Sequence, residues 1–162
     1  VKVLVAGIGN IFLCDDGFGP EVLRRMATRE LPSGVRAVDF GIRGVHLAYE
    51  LLDGWDGLVL VDAVPNRGAP GTLRVFEIDD PSALGHAQFD AHAMDPGAVI
   101  ASLRALGGEL PPTVVVGCQV GSVDEGIGLT PAVAGAVDEA VDAVFDVLGR
   151  MVAQCASESP AR

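Results

Sequence analysis

Three acidic groups stand at or just past the ends of three apolar, strand-like runs. Val3-Leu4-Val5 leads through Gly7-Ile8-Gly9-Asn10 to Asp15-Asp16-Gly17, Val35 to Val38 leads to Asp39, and Leu58 to Val61 leads to Asp62. If the strands are parallel, all three acids reach one rim of the sheet, where open α/β folds bind ligands. An ionised carboxylate is costly to desolvate, so acids placed repeatedly at strand ends point to a site. Of the histidines, His46 falls in a short helical pattern and reads as solvated surface. His86 and His92 lie in a long segment entering a helix, from which either one could come to Asp16 and Asp62. Two carboxylates and an imidazole make an N/O site for a borderline divalent metal such as nickel or zinc. These ligands are scattered along the chain. The plainer alternative is that the acids cap turns and the histidines face water.

Several other chemistries are excluded. Gly7-x-Gly9 after a first strand suggests a dinucleotide site, and Asp39 would suit a ribose contact, but the third glycine position is Phe12. With the helix start displaced to Gly19, that loop is too long to seat a pyrophosphate on the helix N-terminus. No phosphate loop, HExxH zinc helix or GxSxG nucleophile elbow occurs. Asp39-Phe40-Gly41 matches a kinase triplet without the rest of the kinase set, and the Asp-Thr-Gly of pepsin-type proteases is absent. Lys2 is the only lysine and lies in the first strand, which argues against a catalytic lysine. Cys14, Cys118 and Cys155 have no CxxC spacing, so neither a disulfide framework nor a thiolate zinc site is expected. Cys14, in the glycine-rich loop, reads as a small apolar loop residue.

The elements that would position these groups alternate between strand and helix. Strands are expected at Lys2 to Ala6, Val35 to Phe40, Gly57 to Ala63, Thr72 to Ile78 (at an edge) and Thr113 to Gly117. Helices are expected from Gly19-Pro20 to about Leu31, from Gly44 to Leu52, and from the Asp95-Pro96 cap to Leu106. Asp79 to Met94 lacks a clear period and reads as a long loop, a length often reserved for function. Thr130-Pro131 starts one long final helix with Val133, Ala136, Val137, Ala140, Val141, Val144 and Leu148 at helical spacing. Residues 1–152 then form a single domain, a three-layer α/β/α sandwich with a mostly parallel five-stranded sheet. Residues 153–162 are expected to be a disordered tail.

A chain of 162 residues with 49% hydrophobic content and a mean hydropathy of +0.40 can bury a sizeable core. Apolar stretches are broken before membrane-span length. The first strand starts within two residues, leaving no room for a signal peptide, so a cytoplasmic protein is expected. The net charge of −11 disfavours nucleic acid and anionic membranes as partners. No dimerisation helix is evident, and a monomer is expected.

The same residues carry a family resemblance. Val5-x-Gly7-Ile8-Gly9-Asn10-Ile11 with Asp15-Asp16-Gly17-x-Gly19, then Asp39-x-Gly41-x-x-Gly44, then Val61-Asp62-Ala63 occur in order. Pro70-Gly71-Thr72, His92 and Gly128-Leu129-Thr130-Pro131 follow. From residue 1 to about 150 the chain resembles the hydrogenase maturation proteases, which trim the C-terminus of the large-subunit precursor of nickel–iron hydrogenases. The resemblance implies a mixed sheet with one antiparallel strand. It also places the family's metal-contacting positions on Asp16, Asp62 and His92, and its Asp-x-Gly aspartate on Asp39. Asp16, Asp39 and Asp62 are then the candidate catalytic carboxylates, with Asp39 a general base or the group that orients water. Nickel would arrive with the precursor, and trimming would follow its insertion. Two departures stand out. The family usually has glutamate where this chain has Asp16, which shortens the reach by about 1.5 Å. Ile42 replaces a threonine that often follows the glycine of Asp-x-Gly. Rival readings are a nickel or nucleotide carrier without hydrolytic activity, and another hydrolase on this fold. A two-metal aminopeptidase needs more ligands than this cluster, and the acidic charge argues against a peptidyl-tRNA substrate.

Overall fold

The computed structural model describes residues 1–79 and 96–158. Its apolar runs form β1 (Val3–Ile8), β2 (Val35–Gly41), β3 (Gly57–Val64), β4 (Leu73–Glu77) and β5 (Thr113–Gln119). They build one sheet in the order β2-β1-β3-β5-β4, parallel except for β4, which pairs antiparallel with β5. β1 and β3 are buried along their whole lengths, as expected for strands covered on both faces. β1 runs on past the expected end at Ala6 to Ile8, and β5 past the expected end at Gly117 to Gln119. Gly7 pairs with both Asp39 and Val61, and a side chain there would meet Leu23 and the Gly19 carbonyl.

Helices cover both faces. On one, α1 (Phe18–Met26) and α5 (Val137–Glu158) pack Phe18, Val22, Met26, Val144 and Leu148 against Val3, Val5, Val59 and Val61. On the other, α2 (Gly44–Leu51) and α3 (Pro96–Ala105) pack Leu47, Leu51, Val99 and Leu103 against Leu4, Ile8, Leu58 and Leu60. Leu52, expected inward, is 40% exposed. α1 stops at Met26 rather than Leu31, because the Thr28 and Arg29 amides bond three residues back, to Arg25 and Met26, and tighten the chain into a turn. The final helix is two: α4 (Pro131–Ala134) ends at Gly135 before α5 begins. The regular apolar spacing across that break conceals it in the sequence. α5 continues to Glu158, so residues 153–158 are helical where a tail was expected, with Cys155 half-buried against the domain.

Two glycines let the loop after β1 fold back tightly. Gly9 has φ +138°, and a Cβ there would lie 1.9 Å from the Asp16 carbonyl oxygen. Gly19 sits where α1 crosses the sheet, with the Ile8 and Val61 carbonyl oxygens 2.3 and 2.4 Å from where a Cβ would be. Backbone on both sides cannot yield. Gly19→Ala should therefore cost about 3 kcal/mol or more, lowering Tm by roughly 10 °C. A calorimetric scan of the variant showing an unchanged Tm would refute the close crossing.

Candidate active site

β1, β2 and β3 run parallel, so Asp16, Asp39 and Asp62 do reach one rim, but not on one face of the sheet. In β3, Val59, Val61 and Ala63 face the α1/α5 layer, while Leu58, Leu60 and Val64 face the α2/α3 layer. Side chains alternate along a strand, so Asp62 points to the α2/α3 side. In β2, Val35 and Ala37 pack towards α1/α5, and Asp39 continues that row. Asp39 is exposed, and its Oδ1 accepts the Gly41 amide at 2.8 Å, the bond of a turn-stabilising carboxylate. It lines an open groove with Ala37, Pro20, Leu23 and Arg24 that includes neither Asp16 nor Asp62.

Asp16 and Asp62 belong together. Asp16 lies in the 3-10 turn Cys14–Gly17 and is 2% exposed; its Oδ2 accepts the Asn10 amide at 2.8 Å. Asp62 is 1% exposed, and neither carboxylate oxygen has a hydrogen-bond partner, a condition no other buried side-chain N or O atom shares among the described residues. Its partner across the ladder is Gly117, which brings no side chain to bond it. Burial raises the Asp62 pKa well above the usual carboxylate range, and the nearby charge of Asp16 pushes it further; the Ala63 amide pulls weakly the other way without making a hydrogen bond of normal geometry. An orphaned buried carboxylate beside a second one suits a divalent cation. The third expected contact, His92, and the alternative His86 lie outside the described residues, as does the Asp95 cap. Among the described residues, no three acidic, histidine or cysteine side chains converge on a metal position. α3, which follows His92 by four positions, starts on the Asp62 side at the rim, where Pro96 lines a small cavity with Ile8 and Leu60.

Asp15, adjacent to Asp16, behaves oppositely. It is fully buried, and four donors meet it: the Gly121 and Ser122 amides, the Thr130 amide and the Thr130 hydroxyl, all within 2.7–2.9 Å. Burial pushes its pKa up, but the bonds from Ser122, Thr130 and Gly121 outweigh this and hold it below the usual range. The only sequence signal was the Asp pair together with the distant Gly-Leu-Thr-Pro. Thr130 precedes Pro131 as an N-cap should, yet its hydroxyl caps no helix and goes to Asp15. Cys118 is a core residue: burial, then the charges of Asp15 and Glu139, push its thiol up to about 12, which rules out a ready thiolate. His46 is exposed on α2.

The family model for hydrogenase maturation protease matches residues 20–147. The chain belongs to the hydrogenase maturation protease family. The chain is 38% identical over 143 residues to the hydrogenase expression/formation protein HupD of Rhodobacter capsulatus, covering 86% of this chain and 68% of HupD. It is 30% identical over 150 residues to the hydrogenase 2 maturation protease of Escherichia coli, covering 91% of each. Among solved structures, the hydrogenase maturating endopeptidase HybD from Escherichia coli superposes with a TM-score of 0.80 at 28% identity, over 93% of both chains. The five-stranded, mostly parallel sheet between helical layers is thus the fold of a maturation protease.

The two buried aspartates predict opposite responses. Asp62 holds its proton more tightly folded than unfolded, so its ionisation lowers stability as pH rises above the ordinary carboxylate range. Asp62→Asn should match the parent near pH 4 and exceed it at pH 7 by about 2 kcal/mol. Asp15 has the reverse sign: its contribution is present above the unfolded pKa and lost as pH falls through its lowered folded value. Asp15→Asn should lose about 3 kcal/mol at pH 7, with the loss shrinking in acid. Denaturant titrations of both variants across that pH range check the two signs, and a destabilised Asp62→Asn at neutral pH would contradict the orphaned carboxylate.

Proposed function

We propose that this protein is an endopeptidase that removes the C-terminal extension from the large-subunit precursor of a nickel–iron hydrogenase, once nickel has been inserted. Asp62 carries this reading. Its carboxylate is buried, lacks a hydrogen-bond donor and stands near Asp16, the arrangement expected of a site whose positive partner arrives with the substrate. Nickel is here part of the substrate, and carboxylate and imidazole donors suit it. When bound at such a site, a divalent ion supplies Lewis acidity at the bond to be cut.

The chain's own residues then divide the work. Asp16 and Asp62 hold the incoming centre, and the Asn10 amide keeps the Asp16 carboxylate oriented. His92 is the third contact in this reading: a tether of four residues to Pro96 spans at most about 14 Å, and α3 starts on the Asp62 side of the rim. Asp39, the exposed carboxylate, is the candidate to orient water or accept its proton. Its place across the sheet means that only a precursor straddling the rim would meet both Asp39 and Asp62. Among the described residues no helix is long and apolar enough to cross a membrane. The charge of −11 suits a protein precursor as partner better than nucleic acid or an anionic membrane, and in this reading the enzyme is cytoplasmic and monomeric.

Incubation with nickel-loaded and nickel-free precursor should give cleavage of the loaded form alone, read by the mass of the released peptide. Equal cleavage of both would remove nickel recognition, and tight nickel binding with no cleavage would favour a carrier. Asp16→Asn and Asp62→Asn should each abolish processing while the circular dichroism spectrum stays that of the parent.

A further inference from the structure

The residues around Asp15 tie two distant segments together beside the carboxylate pair. Oδ2 of Asp15 accepts from the Gly121 amide, the Ser122 amide and the Thr130 hydroxyl, and Oδ1 accepts from the Thr130 amide. The Asp15 amide donates in turn to the Ser122 carbonyl, and the Cys14 amide to the Gly126 carbonyl. The turn carrying Asp16 is thereby fastened to chain more than 100 residues away. Gly121 is part of the fitting: a Cβ there would press to 3.0 Å from the Thr130 hydroxyl oxygen and 3.2 Å from Asp15 Oδ2. Four donors saturate the carboxylate, leaving Asp15 neither base nor metal ligand. On its other side, the Asp16 carbonyl is tucked against Gly9, and the Asp16 Oδ2 accepts from Asn10.

We infer that Asp15 and Thr130 are positioning residues of the protease site: their bonded pair locks the turn that aims the Asp16 carboxylate towards Asp62. The inference rests on the proposed function for its catalytic consequence, but its geometric content stands apart. It gives a task to Thr130 within the Gly128-Leu129-Thr130-Pro131 segment. A clamp serving stability alone would hold residues 121–130 and leave Asp16 indifferent to it.

Thr130→Val removes only the hydroxyl and keeps the backbone donors, so the fold should survive; Thr130→Ser keeps the hydroxyl. Amide hydrogen exchange at Asn10 reports the bond to Asp16 directly. Exchange at Asn10 should rise about tenfold in Thr130→Val and return in Thr130→Ser, with Val5 in the centre of β1 unchanged as the control for global stability. With nickel-loaded precursor, kcat should fall about tenfold in Thr130→Val with KM little altered, and recover in Thr130→Ser. Faster exchange confined to Gly121, Ser122 and Thr130, with Asn10 and kcat unmoved, would overturn the inference. If Asn10 responds but the parent protein cuts no precursor, the positioning stands and the proposed function falls.

Discussion

A carboxylate sealed from water must be met by donors or by a cation, and this fold meets that constraint differently at neighbouring positions. Asp15 is satisfied wholly from within, by three amides and a hydroxyl. Asp62 is given no donor at all. Asp16 lies between the two in sequence and in character, oriented by the Asn10 amide while its charge bears on Asp62. Such an arrangement costs stability, and the two cores on either face of the sheet supply the margin that lets it persist. A strained or unsatisfied group that survives inside a well-packed domain is a reasonable marker of function.

The sheet sets where these groups can act. Parallel pairing of β1, β2 and β3 brings their carboxyl ends to one rim, and the crossing of α1 over Gly19 draws the loop after β1 back across it. Alternation along the strands then sorts the acids between faces. Asp62 joins the row that faces α2 and α3, and Asp39 joins the row that faces α1 and α5. The two sides of the rim are therefore unlike: one has buried charge, the other an exposed acid beside an open groove. A substrate that uses both must cross the sheet edge.

Much of this was legible in the chain. The apolar runs of β1, β3 and β5 are short, β-branched and bounded by turn residues, so their existence and the common rim followed from pattern alone. The edge position of β4 followed from its alternation after Pro70-Gly71. Facing was not legible, because it requires the registers of β2 and β3 against β1: Gly7 is level with Asp39 on one side and with Val61, one residue short of Asp62, on the other. The break at Gly135 was hidden because Val133, Ala136 and Val137 all face the core, so the period continues while the backbone does not. The resemblance singled out Asp16, but nothing in the sequence told what Asp15 does. Two identical side chains on successive residues of a 3-10 turn point in different directions, and what each meets is decided by chain that arrives from beyond residue 120.

That division explains why two adjacent acids are useful rather than redundant. A single aspartate could not both anchor the turn and present its oxygens to a cation, because each hydrogen bond accepted occupies a lone pair that a metal would need. Splitting the tasks lets Asp15 fasten the turn while the Asn10 amide orients the neighbouring Asp16 carboxylate. The same logic bears on the shorter side chain at 16. With one methylene less than glutamate, its carboxylate has fewer rotamers and its aim depends more on the backbone. A site built on Asp16 therefore relies on how firmly residues 10–17 are held, which places the burden on the bonds to Gly41, Gly121, Ser122, Gly126 and Thr130 that surround the turn.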